Sequence, residues 1–382
     1  MALSDTKPIR RDSSIDLVRG LVMCLMVLDH ARDFFTSTPF SATDPDKTSV
    51  ALFFTRWVTH FCAPAFVLLA GVGAGISRSH GGSPKTLSAF LLKRGIWLMS
   101  LELTWVRFGW HFDFDYHSAT GQVVWALGCS MVVLAALVFV PDAVIAAFGS
   151  LLVVGHNLFD SVHASELGSA GPIWRIVHEG GPIPVFDGHF FYVAYPLVPW
   201  IGVMALGFVL GRRWATLTSK RLVALGLVLI AAFFCFRLSN LYGDPKAFVA
   251  RRGVRSLFAL LNCQKYPPSL AYLLMTLGPI FILLGFLRGR AMRAPLANIL
   301  VTLGRVPLFF YLLHLPLVHA MTLPLRAARG LPLIAGAFRH RLDVPLTWVY
   351  LVTLLAVVIL WLPCRRWAEL KADRPHGWLS YL

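Results

Sequence analysis

Ten long apolar stretches, separated by short polar or basic segments, dominate the chain. They run at about 14–36, 51–77, 87–106, 122–140, 142–159, 194–211, 220–240, 269–287, 296–323 and 345–363. Apolar residues in them are continuous rather than alternating, which predicts helices and disfavours a β-barrel. Most have the length needed to cross about 30 Å of hydrocarbon. The pattern predicts an all-α, polytopic integral membrane protein of about ten transmembrane helices. No internal repeat or low-complexity segment divides it, so residues 1–382 read as one domain, with 1–13 and 364–382 as polar ends.

The first stretch breaks the pattern. It carries Asp16, Arg19, Asp29, His30, Arg32 and Asp33 within an otherwise apolar run. An ionisable group in hydrocarbon costs from about 2.5 kcal/mol upward, so such residues point to function or to mutual pairing. At about 100° per residue, the step from Arg19 to His30 returns to within roughly 20° of one helix face, and Asp16 and Asp33 fall within about 60° of it. Met23 and Met26 lie between. Arg32 points away, as a cation snorkelling to the surface would. One face therefore holds a cation near one end and a histidine with carboxylates near the other, roughly 16 Å apart.

Composition agrees with a membrane protein: 57% of residues are hydrophobic, 14% are charged, and mean hydropathy is +0.67. The net charge of +16 would suit nucleic acid, but the cations form short clusters between apolar spans, which excludes that partner. Arg10/Arg11, Arg78 with Lys85, Arg212/Arg213 with Lys220/Arg221, Arg288/Arg290/Arg293 and Arg365/Arg366 fall on one side if both termini are cytoplasmic. Loops 241–268 and 324–344 oppose this with several cations of their own, but long loops bind the rule less tightly. The six cysteines form no CxxC, so neither a disulfide framework nor a zinc site is expected. The charged first stretch lacks a cleavage site and reads as an uncleaved span.

In the N-in, C-in arrangement, distant polar residues share a depth. Asp29, His30, Asp33, Arg56, His60, Glu102, Tyr311 and His314 fall in the outer half, with Arg56 and His60 four apart on one helix face. Histidine beside carboxylate is what general-base chemistry needs, because the acceptor fixes the tautomer of a group titrating near neutrality. Asp33, one turn from His30, suits that place. The alternative is an ion-pair lattice of Asp29, Arg32 and Asp33, with His30 bonding a neighbouring helix. His60, Arg56, Glu102, Tyr311 and His314 would bind the acceptor or stabilise an oxyanion. Nearer the cytoplasm, Arg19, Arg94 beside Lys93, and Arg305 suit the phosphates of a nucleotide-like donor. His111, Asp113, Asp115 and His117 alternate, as an edge for a metal or a sugar would, yet the intervening Phe112, Phe114 and Tyr116 equally suit an interfacial aromatic belt. On balance no metal is expected. Gly71 and Gly75, four apart, suit close helix packing.

Four segments carry a resemblance: Ser14–Phe35 (SIDLVRGLVMCLMVLDHARDFF), Phe54–Gly71 (FTRWVTHFCAPAFVLLAG), Lys265–Pro279 (KYPPSLAYLLMTLGP) and Leu303–His319 (LGRVPLFFYLLHLPLVH). In that order they resemble bacterial membrane proteins related to heparan-α-glucosaminide N-acetyltransferase. The Arg19–ten residues–His30 spacing is also similar to that of the wider transmembrane acyltransferase group, which includes the acyltransferase-3 family. The resemblance implies a bacterial inner-membrane enzyme moving an acetyl or acyl group from cytosolic acetyl-CoA or another acyl-CoA. The acceptor would be a hydroxyl or amine, of a glycan or another small molecule, at the outer face. His30 would be the base or a transient acyl carrier, and Arg19 would shape the donor site. The resemblance places an active histidine after the first helix. Loop Ser37–Val50 holds none, which leaves His30 and His60 for that role.

Two other readings stay open on the residues alone: a proton-coupled transporter using the His30/Asp33 face as a relay, and a non-catalytic scaffold. Against the transporter, no inverted repeat with paired broken helices stands out. The oligomeric state is open between a monomer and a homodimer.

Overall fold

The computed structural model describes residues 12–290, 294–334 and 342–373. Arg10, Arg11, Arg293 and the polar ends at 1–11 and 374–382 lie outside them. The chain is mostly helical, and a helix occupies each of the ten apolar stretches. In order these are α1 (Ser13–Phe35), α2 (Val50–Ser79), α3 (Pro84–Leu101), α4 (Val123–Leu137), α5 (Asp142–Gly155), α6 (Leu197–Arg212), α7 (Ser219–Ser239) and α8 (Leu270–Leu287). The ninth stretch is split into α9 (Pro295–Arg305) and α10 (Pro307–Ala320), and α11 (Leu346–Asp373) is the last. By length and composition, six helices among the described residues can cross a membrane, and α4 and α6 are shorter apolar helices. Ten spans were expected; the ten apolar stretches are helical, and six helices among the described residues meet that standard.

Three stretches are not the uniform helices that hydropathy suggests. Within α2, residues Val58–Phe61 form a 3-10 turn. After α3, Glu102–Val106 form a π-turn that continues to His111, where Phe112 reverses the chain at φ 51°. At Val306 (φ −128°, ψ 50°) the ninth stretch breaks, because Pro307 has no N–H to continue α9 and instead opens α10.

α1 is the central post, packed against α2, α8, α9, α10 and α11. Its N-terminus is held by Asp12, whose Oδ1 accepts from the Ser14 amide while Oδ2 accepts from Trp214 Nε1 and Arg288 Nη1. Backbone touches backbone where α1 meets α9. A Cβ built on Gly304 would lie 1.8 Å from the Asp16 carbonyl oxygen. Gly71 and Gly75 likewise face α6, where a Cβ at Gly71 would lie 2.2 Å from the Met204 oxygen. Small residues replace apolar attraction as the means of close approach when the solvent is itself hydrocarbon. The lipid-facing sides are correspondingly apolar: Leu227 and Val228 on α7, and Leu354, Leu355 and Val358 on α11, are more than half exposed.

The all-α expectation needs one correction. A three-stranded sheet of β1 (Ser118–Gly121), β2 (Gly181–Phe186) and β3 (His189–Val193) lies in order β1-β3-β2, with β1 parallel and β2 antiparallel to β3. Asp187–Gly188 makes the two-residue hairpin turn, with Gly188 at φ 71°. Pro182 and Pro184 sit on the edge strand, where a missing N–H costs nothing.

Candidate active site

His30 comes from the last turns of α1, and its Nδ1 is 2.6 Å from Nε2 of His314 on α10. His314 Nδ1 is in turn 2.6 Å from the Tyr311 carbonyl oxygen. A carbonyl only accepts, so His314 Nδ1 carries the hydrogen and its Nε2, in the neutral ring, is bare. His30 Nδ1–H therefore donates to that nitrogen, and His30 Nε2 keeps its lone pair. The ring is braced edge-on by Trp110 at 4.9 Å.

The expected orienting carboxylates have other partners. Asp29 takes both oxygens to Arg56 Nη1, at 2.5 and 2.6 Å, and one to Arg32 at 3.0 Å. Asp33 bonds Arg32 at 2.7 Å. Arg32 is thus no snorkelling cation but the middle of a four-member lattice, with its side chain only 11% exposed. Both halves of the alternative reading, the lattice and the histidine bonded across helices, are present in the geometry. The partner His30 has acquired, however, is another imidazole, and His30 itself lines a cavity.

That cavity holds about 370 Å³ and is lined by His30, Asp29, Asp33, Arg56, Lys265 and Tyr266, with Gln122 and Thr120 in its wall. A second, of about 580 Å³, is lined by Arg19, Arg94, Arg305 and Lys371 among apolar residues of α2, α3 and α4. Phe66 and Val123 line both, so the two share a partition. Along α1, Met23 belongs to the second cavity and Met26 to the first. Tyr311 belongs to the second, with its ring 6.5 Å from that of His30.

Arg19 donates to the carbonyls of Gly304 at 3.3 Å and Leu69 at 3.4 Å, and lies 3.5 Å from Asp16. It ties α1, α2 and α9 together at the cavity wall. Arg305 has a half-exposed side chain 4.0 Å from Asp16. Lys93, expected beside Arg94, does not line the cavity.

His60 does not share a face with Arg56. The 3-10 turn between them advances about 120° per residue rather than 100°, so their side chains part. Arg56 lines the first cavity. His60 is buried against Tyr272, 5.5 Å between rings, and lines neither cavity. Glu102 lines neither as well. Its Oε2 accepts from the Val124 and Trp125 amides at 3.0 and 2.9 Å, capping α4. Of the alternating loop set, only His111 reaches the cavity. Asp113 bonds Arg107 at 2.9 Å, and His117 stacks on His189 at 4.8 Å. Hydrogen bonds from the His117 side chain and backbone hold the Asp115 carboxyl below its usual range. Among the described residues no group of three His, Cys, Asp or Glu is placed to hold a metal.

Lys265, Tyr266, Gln122 and Trp110 were not anticipated as site residues. Lys265 left a trace in the sequence, as one of the cations in loop 241–268 that oppose the charge rule.

His30 thus lines a polar cavity that shares Phe66 and Val123 with a second, cation-lined one, inside a helical bundle with apolar outer faces. The chain belongs to the acyltransferase domain family, whose model matches residues 12–366, nearly the whole length. No curated protein matches it significantly.

Proposed function

We propose that this acyltransferase takes an acetyl or other acyl group from cytosolic acyl-CoA and passes it to a hydroxyl or amine of a glycan-type acceptor at the outer face of a bacterial inner membrane, with both termini cytoplasmic. The observation that carries the reading is the pair of cavities meeting at Phe66 and Val123, one lined by cations and apolar walls, the other by polar groups and His30. Guanidinium groups at Arg19, Arg94 and Arg305 suit phosphates. The roughly 16 Å along α1 from Arg19 to His30 suits an extended pantetheine arm between phosphates and thioester. On the other side, Asp33, Lys265, Tyr266 and Gln122 offer the mixed donors and acceptors that a polyol needs.

His30 Nε2 takes the proton of the acceptor hydroxyl as its oxygen bonds to the thioester carbon. The imidazolium so formed keeps its Nδ1–H on His314 Nε2, whose own Nδ1–H stays on the Tyr311 carbonyl, so charge develops without rearrangement of the ring. On collapse, His30 returns the proton to the departing thiolate.

Purified protein in nanodiscs, given acetyl-CoA and candidate oligosaccharides, should release free thiol, and folded His30→Ala should not. Undiminished release by His30→Ala would remove His30 from the reaction. Solute flux without thioester cleavage would replace the enzyme with a carrier.

A further inference from the structure

Tyr311 is 4% exposed, and its hydroxyl has no hydrogen-bond partner among the described residues. A buried hydroxyl left unsatisfied is costly, so its position asks for a partner that arrives with a ligand. Tyr311 lines the cation-bearing cavity, at the end where its ring approaches those of His314 (5.1 Å) and His30 (6.5 Å). His60 Nδ1 is also unsatisfied, but that ring lines neither cavity and has no comparable access to a ligand.

The setting gives this hydroxyl a direction of use. Tyr311 lies one helical turn before His314, and its own backbone carbonyl receives the His314 Nδ1–H. The hydroxyl and His314 are therefore mounted on the same turn of α10. Glu102 Oε2 is occupied with the α4 amides. Tyr311 supplies a neutral donor to a cavity whose lining also includes the apolar Leu98, Val124 and Leu308.

We infer that the Tyr311 hydroxyl is a catalytic group, donating its hydrogen bond to the carbonyl oxygen of the thioester as negative charge collects there. The inference rests on the reading of His30 as base and acyl-CoA as donor. As the acceptor oxygen bonds to the carbonyl carbon, its proton passes to His30 Nε2 and the C=O π pair moves onto oxygen. Tyr311 O–H holds that oxyanion. Reforming C=O then breaks the C–S bond, and the leaving sulfur takes the proton from His30. Tyr311 stays protonated throughout, and no further reactant is needed.

Such a donor acts mainly in the transition state, so its loss lowers kcat with little change in KM. Tyr311→Phe removes one oxygen and keeps the ring. With acetyl-CoA and a working acceptor, the variant is expected to melt like the wild type and to keep its KM for acetyl-CoA within about twofold. Its kcat should fall about 10²-fold. Carbonyl-labelled acetyl-CoA, bound without acceptor, should show a C=O stretch that is lowered in the wild type and returns toward the free value in Tyr311→Phe. Wild-type kcat in the folded variant would overturn the inference and leave the transferase intact. Failure of the wild type to release CoA with any acceptor would overturn both. If Tyr311→Phe does not fold, a ring-fluorinated tyrosine at 311 decides: a kcat that changes with hydroxyl acidity supports the inference, and an unchanged one rejects it.

Discussion

His30 and His314, 284 positions apart in sequence, share one hydrogen bond of 2.6 Å, and through it α1 and α10 are joined beside the polar cavity that His30 lines. The arrangement resembles a base and its orienting acid with the acid replaced by a second imidazole. A neutral acceptor fixes the tautomer as a carboxylate would, yet it stabilises the imidazolium less, because it brings no opposing charge. His314 is wholly buried and is held by the Tyr311 carbonyl, so the orientation is set by the helix itself.

Removing that acceptor should therefore be costly. His314→Ala frees the His30 ring to turn and leaves Nδ1–H without its partner. General-base catalysis is worth about 10²–10⁴-fold, and the variant should lose much of it in kcat while still binding acetyl-CoA. His314→Gln retains a side-chain carbonyl that can accept from His30 and should recover part of the loss. Equal activity in all three proteins, measured by thiol release, would show that the histidine pair only joins two helices.

The Asp29 carboxylate beside His30 should behave as structure. Asp29 holds both Arg56 and Arg32, and all three side chains are less than a fifth exposed. Breaking a buried pair on one side leaves an uncompensated charge, at a cost of about 3–5 kcal/mol, whereas removing both partners costs less. Asp29→Asn should lower the melting temperature strongly, and Asp29→Asn with Arg56→Met should restore part of it. A catalytic Asp29 would show the opposite signature, with normal melting and lost turnover.

Close backbone packing also sits beside the cation-lined cavity. A methyl group at Gly304 has no room against the Asp16 carbonyl, so α9 must move away from α1. Arg19, which donates to the Gly304 carbonyl, then loses one of its anchors. Gly304→Ala should both destabilise the bundle and raise the KM for acetyl-CoA. Gly73→Ala, which is on the cavity wall but has nothing within 4 Å of its new methyl, is the control that should fold normally.

Much of this was legible in the chain. The ten helical regions followed from continuous apolar runs, and α1 was marked by the expense of its charges. Arg19 and His30 were placed at opposite ends of that helix by arithmetic alone, and the structure sets them in adjoining cavities. What the pattern could not convey was local departure from the 100° step. The 3-10 turn at Val58–Phe61 separates His60 from Arg56, and hydropathy is blind to it because every residue there is still tolerable in a span. The break at Val306 had a visible cause in Pro307, though a run of 28 apolar-rich positions masked it. The hairpin at 181–193 also has its signal, Asp187-Gly188 between two strand segments, but it lies in a long loop between apolar stretches where hydropathy is silent. Which partner orients His30 depends on how α1 and α10 meet, and no spacing within either helix encodes that.

Loop residues should set acceptor recognition. Lys265 is 9% exposed, sits over the Tyr266 ring at 5.1 Å, and lines the His30 cavity together with Gln122. A lysine that deep in a polar cavity offers three donors to the hydroxyls of an entering sugar. Lys265→Met keeps the aliphatic stem and removes the charge. A hydrogen bond to a charged group is worth about 1.5–3 kcal/mol, so the KM for the acceptor should rise at least tenfold. The KM for acetyl-CoA should not change, because Lys265 does not line the second cavity. Arg305→Ala should give the mirror result, with donor KM raised and acceptor KM unmoved. If both substitutions shifted both constants together, the two cavities would not be separate binding compartments, and the division of donor from acceptor at Phe66 and Val123 would have to be abandoned.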